Sequence, residues 1–416
     1  MRLLKTLLLL VFSILLSSCN SESNNKMNGG YSWWSGPYIS DSSSNSTDLL
    51  VTGVNRKASK GVQWVAEISM VNNSVEVLKR VELNNNFKHD EHNAPAILNI
   101  DSNIIIAATG HANESETWKQ KVIIYTGNNI SNLKQQIITT PSLVTYVQLQ
   151  YTNSTVIMYS RMSDLGFHFS TSNDFGQTWS PWKPLLQSAY VISSSNSESL
   201  DFYTGSHPAS GNNQISFLSE PSQRFVTSAN DLNNGATINI AFATRNADLE
   251  SIYSADKTKL SRILDVLNQE SSLALISTHD ESSTENWQLS ITVVSSEYTK
   301  QGTYSIGDNI GVLGRRNEPL NSGYYVLGAS FISEENGLVS IALITKNADY
   351  YQLKLIDFDL KSASVISEEV VYSSNKVIYR PVAHTSLSGT KYIMFNEADY
   401  WNNYLEWRAV QRIIAI

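Results

Sequence analysis

The chain has 416 residues, a formal net charge of −8 at pH 7 and one cysteine. That acidity argues against nucleic acid as a partner, although an acidic body can still carry a local basic cleft for an anionic polymer; a single cysteine excludes an internal disulfide. The length exceeds what one hydrophobic core fills, so two domains or one repeat-built domain is expected.

In chain order, the first feature is a leader. Arg2 and Lys5 precede an apolar run from Leu3 to Leu16, which is too short and too terminal for an ordinary spanning helix. The run ends at Leu16-Ser17-Ser18-Cys19, the pattern of a bacterial lipoprotein signal, and Cys19 is the only thiol in the chain. Residues 1–18 are therefore expected to be a signal peptide. Residues 19–29 then form a polar tether with lipidated Cys19, and 30–416 a single folded domain. Loss of Arg2 and Lys5 takes the net charge from −8 to −10. Lipid on Cys19 would hold the protein to a membrane. Asn20 differs from the aspartate of inner-membrane retention, so the expected location is exported and lipid-anchored in the cell envelope, at the outer membrane or cell surface.

Beyond the tether, short β-branched runs recur between Asn, Gly, Ser and Asp turns. Examples are Val62 to Ser69, Asn103 to Thr109, Lys121 to Tyr125, Thr155 to Ser160, Thr237 to Ala243, Gln288 to Val294 and Gly337 to Thr345. One segment, Lys257 to Asn268, spaces Leu260, Ile263, Leu264 and Leu267 as a helix would, and a helical insertion is expected there. No compositional break follows Asn28, so an all-β, monomeric fold is expected, with sandwich array, β-helix and propeller all compatible.

Candidate chemistry begins at His89-Asp90-Glu91-His92-Asn93-Ala94-Pro95-Ala96, a polar cluster that runs into a strand. The next strand ends at Thr109-Gly110-His111. If Ala96 to Ile100 and Asn103 to Thr109 pair, His92 and His111 share one end of a hairpin; the alternative is that each caps a turn. Tyr146, in Thr145-Tyr146-Val147-Gln148, and Arg161, after an apolar strand, share the end of the following hairpin; a structural pairing of Arg161 with Asp164 is the alternative. A metal set of His89, Asp90, Glu91 and His92 is disfavoured because adjacent residues alternate faces on a strand. Trp33, Trp34, Tyr38 and Tyr400-Trp401 are either glycan platforms or core. Tyr379-Arg380 and Glu397-Ala398-Asp399 carry no assigned role.

Ser172-Asn173-Asp174-Phe175-Gly176-Gln177-Thr178-Trp179 fits S-x-D-x-G-x-T-W, the Asp box, at every fixed position. Asp174 suits a turn whose backbone needs an acceptor, and Gly176 suits a positive φ. The motif resembles those of sialidase-type and BNR-repeat propellers. Blades of roughly 40–50 residues then make the expected fold a single β-propeller, with seven blades expected at this length and six or eight also compatible.

The order Asp90-Glu91-His92-Asn93-Ala94-Pro95-Ala96, Thr109-Gly110-His111, Tyr146-x-Gln148, Tyr159-Ser160-Arg161, Asp box resembles the BNR-repeat family that contains the ulvan lyases, over roughly residues 60 to 210. The resemblance implies a polysaccharide lyase that cuts a sulfated rhamnose–uronate polymer by β-elimination. It makes His92 resemble the catalytic base, Tyr146 the proton donor and Arg161 the group that neutralises the uronate carboxylate. Asn93 and His111 would lie beside the substrate, and Tyr203 is a looser substrate-contacting candidate. Which of His92 and Tyr146 acts as base stays open. This chemistry requires no cofactor or metal, and a structural ion elsewhere is not readable from the sequence. The rival classes are a sialidase-like hydrolase, which would draw an arginine triad from Arg161, Arg245, Arg315, Arg316 and Arg380, and a non-catalytic glycan-binding lipoprotein.

Overall fold

The computed structural model describes residues 27–416 except 44–46, 58–59, 73, 112–113, 153, 164–165, 188–189, 196–199, 206–213, 219–243, 246–249, 255–258, 281–286, 311–326 and 348–349. The expected leader, Cys19, Arg315 and Arg316 lie outside the described residues.

The described strands fall into seven antiparallel meanders. The first holds β1 to β4 (Ile39–Asp41, Leu49–Lys57, Lys60–Val71, Ser74–Asn84), and the second β5 to β8 (Ala96–Ile100, Asn103–Ala108, Lys121–Gly127, Lys134–Thr139). The third holds β9 to β12 (Val144–Thr152, Thr155–Met162, Gly166–Ser172, Lys183–Gln187), and the fourth β13 to β15 (Tyr190–Ser195, Leu200–Gly205, Gln214–Leu218). The short β16 (Thr244–Arg245) adds to the third in parallel, and β17 (Glu250–Ser254) completes the fourth. The fifth holds β18 to β21 (Lys259–Asn268, Ser272–Asp280, Trp287–Ser295, Gly302–Ile310), and the sixth β22 to β25 (Ala329–Glu335, Leu338–Asn347, Tyr350–Asp359, Ser364–Ser374). The last holds β26 to β28 (Val377–Thr385, Lys391–Asn403, Glu406–Ala415). Six sheets thus have the four or more strands of a complete blade, one fewer than the seven expected, and the last has three.

The first strands pack on one another in the order β1, β5, β9, β13, β18, β22, β26, which makes the protein an all-β propeller. The ring is tied at its seam. The Leu387 amide donates to Asp41 Oδ1 at 3.2 Å. The Gly29 amide donates to the Ala409 carbonyl at 3.0 Å, and the Gln411 amide to the Met27 carbonyl at 2.9 Å. Met27 to Gly29 therefore run beside β28 as part of the fold, three residues before the start of the domain read from sequence.

The core lies between neighbouring sheets. Ile157, Tyr159, Phe167 and Phe169 of the third sheet meet Val191, Leu200 and Phe202 of the fourth. Inner strands are therefore buried on both faces and lose the alternation of a half-exposed strand, whereas β8 and β25 are mostly exposed. That two-sided burial corrects the helix expected at Lys257 to Asn268: residues from Lys259 form β18. Its Ile263 packs with one cluster and Leu264 with another, and a register shift between Ile263 and Asp265 resets the phase, so the apolar positions mimic a helical period. The only helical element among the described residues is one 3-10 turn, Glu91–Asn93. Trp33, Trp34, Tyr38 and Trp401 are buried core rather than open platforms, while Tyr400 is exposed.

The Ser172–Trp179 turn closes after β11. Asp174 Oδ1 accepts from the Thr178 amide at 2.8 Å, and Asp174 Oδ2 from the Thr178 hydroxyl at 2.6 Å. Gly176 has φ of 82° and sits against Ile105 and Thr126 of the second sheet, where a Cβ would crowd them.

Candidate active site

The link from β4 to β5 builds the site. Asp90, extended at φ −150°, caps the 3-10 turn by accepting the His92 amide at 2.9 Å. The same carboxylate spans two imidazoles: Oδ1 lies 2.7 Å from His92 Nδ1, and Oδ2 lies 2.8 Å from His111 Nδ1. β5 and β6 pair with Ala96 opposite Ala107, so the end of β6 carries His111 back beside His92. Gly110 is needed there, because a Cβ would run into Glu114 and Phe87. The two rings stack with centroids 4.4 Å apart.

Burial would raise the Asp90 carboxyl, but the adjoining imidazoles outweigh it and hold it well below the usual carboxylate range. An ionised carboxylate only accepts, so both Nδ1 atoms carry the proton, and a ring in its uncharged form presents its lone pair on Nε2. Burial lowers the His92 pKa, partly offset by Asp90, so the ring favours the neutral form.

Tyr146 comes from β9. Its φ is +58°, a left-handed conformation rare for an aromatic residue, where the β9–β10 register shifts between Tyr159 and Arg161. The irregularity aims its hydroxyl at His111 Nε2, at 3.2 Å. Arg161 is partly exposed, with its guanidinium 5.9 Å from the Tyr146 ring and 5.5 Å from that of Tyr190. Tyr404, in the β27–β28 turn, sets its ring edgewise to His92 and His111 at 5.1 and 5.6 Å.

Four expected residues therefore converge: His92, His111, Tyr146 and Arg161. Asn93 is buried, and its amide donates to the Lys88 carbonyl at 2.9 Å and to Glu114 Oε1 at 3.2 Å. Tyr203 is fully buried on β14 and presents no surface to a ligand in this state. Sequence reasoning quoted Asp90 without giving it a role in the site, and it missed Tyr190 and Tyr404. The D-x-H spacing was a usable signal for Asp90, whereas Tyr404 comes from the last sheet and left no local trace.

Beneath the site, Glu91 is buried. Its Oε2 accepts from Trp401 Nε1 at 3.2 Å and from the Tyr379 hydroxyl at 3.4 Å, and its pKa is pushed up to about 8 by burial. Arg412 binds Glu397 at 2.6 Å, a local tie in the last sheet. The group Asp90, His92 and His111 offers three donor atoms within 4.8 Å of one another and could hold a divalent ion. It shares Asp90 and His92 with the run considered in the sequence and has His111 in place of His89 and Glu91.

No protein-family model matches the chain, and no curated protein matches it. Among solved structures it is similar to a PL25 ulvan lyase, at 10% identity over 94% of this chain and 93% of that one, with a TM-score of 0.57. The same figures hold for a PL25 ulvan lyase bound to -[GlcA(1-4)Rha3S]-. The polysaccharide lyase Uly1 aligns at 11% identity over 94% and 93% of the two chains, with a TM-score of 0.54. At these identities the likeness establishes the propeller fold.

Proposed function

We propose that this chain is a polysaccharide lyase that cleaves an acidic, uronate-containing, ulvan-like polymer by β-elimination. The observation that carries this reading is the Asp90 carboxylate shared by two imidazoles, with Tyr146 against one of them and Arg161 alongside.

The reaction needs the C5 proton removed, the electron pair moved into a C4=C5 bond, and the C4–O bond broken with a proton to the departing oxygen. Arg161 neutralises the uronate carboxylate and so stabilises the enolate-like transition state. His92, held as the Nδ1–H tautomer by Asp90, takes the C5 proton on Nε2. The Tyr146 hydroxyl, positioned by His111, turns its proton to the leaving oxygen and becomes a phenolate, which regains a proton as His92 returns its own through solvent. We assign the base to His92 and not to Tyr146, a choice supported by the contact of the Tyr146 hydroxyl with His111. The likeness to lyases that include one bound to a glucuronate–rhamnose sulfate unit supports the substrate class. No metal is required by these steps.

In the same reading the last sheet, completed by Met27 to Gly29, is a seventh blade. The protein works as a monomer, exported and anchored through lipid on Cys19 at the outer membrane or cell surface.

The test is ultraviolet absorbance of unsaturated uronate during incubation with ulvan and related polymers. A rise that is lost in His92→Ala and Tyr146→Phe is expected. A flat trace from folded wild-type protein across the panel refutes the lyase reading and leaves glycan binding or hydrolysis.

A further inference from the structure

The β2–β3 hairpin holds the place on the first sheet that the His111 connection holds on the second, since each joins a second strand to a third. Its ends are lysines in register: Lys57 lies opposite Lys60, and Lys60 forms a further antiparallel bridge with Lys88. Residues directly opposite in antiparallel strands share a face, and of this row Lys57 pairs with Glu82 at 3.4 Å. Close approach is built in. The Gly61 amide donates to the Phe87 carbonyl at 3.1 Å, and a Cβ on Gly61 would run into the Lys88 carbonyl. Glycine at this position therefore lets the segment carrying Lys88 lie against the start of β3, beside Lys60.

Lys60 and Lys88 line a cavity of 530 Å³ together with Arg56 and Leu405. Lys88, Glu114 and Leu405 also line a second cavity, of 570 Å³, that reaches Asp90 and His111. The two cavities share Lys88, Glu114 and Leu405 in their linings, which places the lysines next to the candidate catalytic cluster. Of the acids lining them, Glu116 pairs with Lys119, Asp90 is engaged by the two imidazoles, and Glu114 Oε1 accepts from the Lys88 backbone amide and the Asn93 side-chain amide, with the Lys88 charge also near it. A concentration of cations beside the site stands out on a chain of net charge −8.

We propose that Lys60 and Lys88, with Arg56 beside them, form an anion subsite for the sulfate ester or carboxylate of a sugar next to the one that is cleaved. The proposal rests on the polysaccharide reading above. It extends recognition beyond the uronate that the same reading assigns to Arg161.

The experiment compares wild type with Lys60→Gln/Lys88→Gln, both residues being exposed, and with Lys134→Gln on the exposed outer strand β8 as control. Binding is read by retardation in gels containing ulvan, desulfated ulvan or carboxyl-reduced ulvan, and KM and kcat are read on ulvan. The double variant should show about a three- to tenfold weaker affinity and higher KM, with kcat unchanged and a flatter dependence on ionic strength. Its thermal midpoint should stay close to that of wild type, because both side chains are exposed. Wild type and variant converging on desulfated polymer assigns sulfate; converging on carboxyl-reduced polymer assigns carboxylate. Equal binding and equal KM for the double variant and wild type on ulvan overturn the subsite. If wild type makes no unsaturated product yet loses binding in the double variant, the subsite stands and the lyase reading fails.

Discussion

Asp90→Asn tests the site most directly, because this carboxylate accepts from both imidazoles at 2.7 and 2.8 Å. An asparagine side chain offers one oxygen and one NH2. The oxygen can still accept one Nδ1–H, but the NH2 meets the other, so one ring must turn or change tautomer. If His92 changes, its proton moves to Nε2 and the base is lost; if His111 changes, its Nε2 no longer accepts the Tyr146 hydroxyl. A wrong tautomer of this kind costs about 10²- to 10⁴-fold in kcat, equivalent to about 3–5 kcal/mol of transition-state stabilisation. The assay is steady-state production of unsaturated uronate across pH. Burial holds the wild-type His92 pKa below its ordinary value, with Asp90 acting against that fall. The acid limb of kcat/KM therefore lies below about 6.5 in wild type, and moves further to acid when the carboxylate is gone. A merely structural role for Asp90 would lower the amount of folded protein and leave that limb in place. Wild-type kcat/KM in a folded Asp90→Asn variant would refute the assignment.

Glu91→Gln should stabilise the fold at pH 8 and change little at pH 4. The folded-state pKa of about 8 exceeds the unfolded carboxyl value, so stability is greatest below the unfolded value and falls as pH rises towards 8. With the unfolded carboxyl near 4.3, that loss amounts to about 5 kcal/mol at most, and denaturant unfolding of both forms against pH measures it. Arg161→Gln should lower kcat by about 10²-fold or more on a uronate polymer, because the charge acts on the enolate-like transition state; an effect confined to KM would make Arg161 a binding group only. Dialysis against a strong chelator should leave lyase activity unchanged. Loss restored by one divalent metal would instead assign Asp90, His92 and His111 as its ligands.

Local signals in the sequence reached as far as neighbours along the chain. Turn chemistry located the Ser172–Trp179 hairpin, since Asp174, Gly176 and Thr178 satisfy one another within a few residues. The apolar runs around Ala96 and Asn103 located the hairpin that brings His92 to His111, and the next one brought Tyr146 near Arg161. Period failed where both faces of a strand are buried, so β18 read as a helix. Only the tertiary structure decided that Asp90 is shared by two histidines, that Tyr404 of the last sheet covers them, and that Met27 to Gly29 close the ring along β28. The physical reason is one of range. Propensity, turn geometry and hairpin register are settled by residues close in sequence, whereas the convergence of groups from different sheets depends on how the sheets stack around the axis, and that stacking is determined by apolar contacts between segments far apart in the chain.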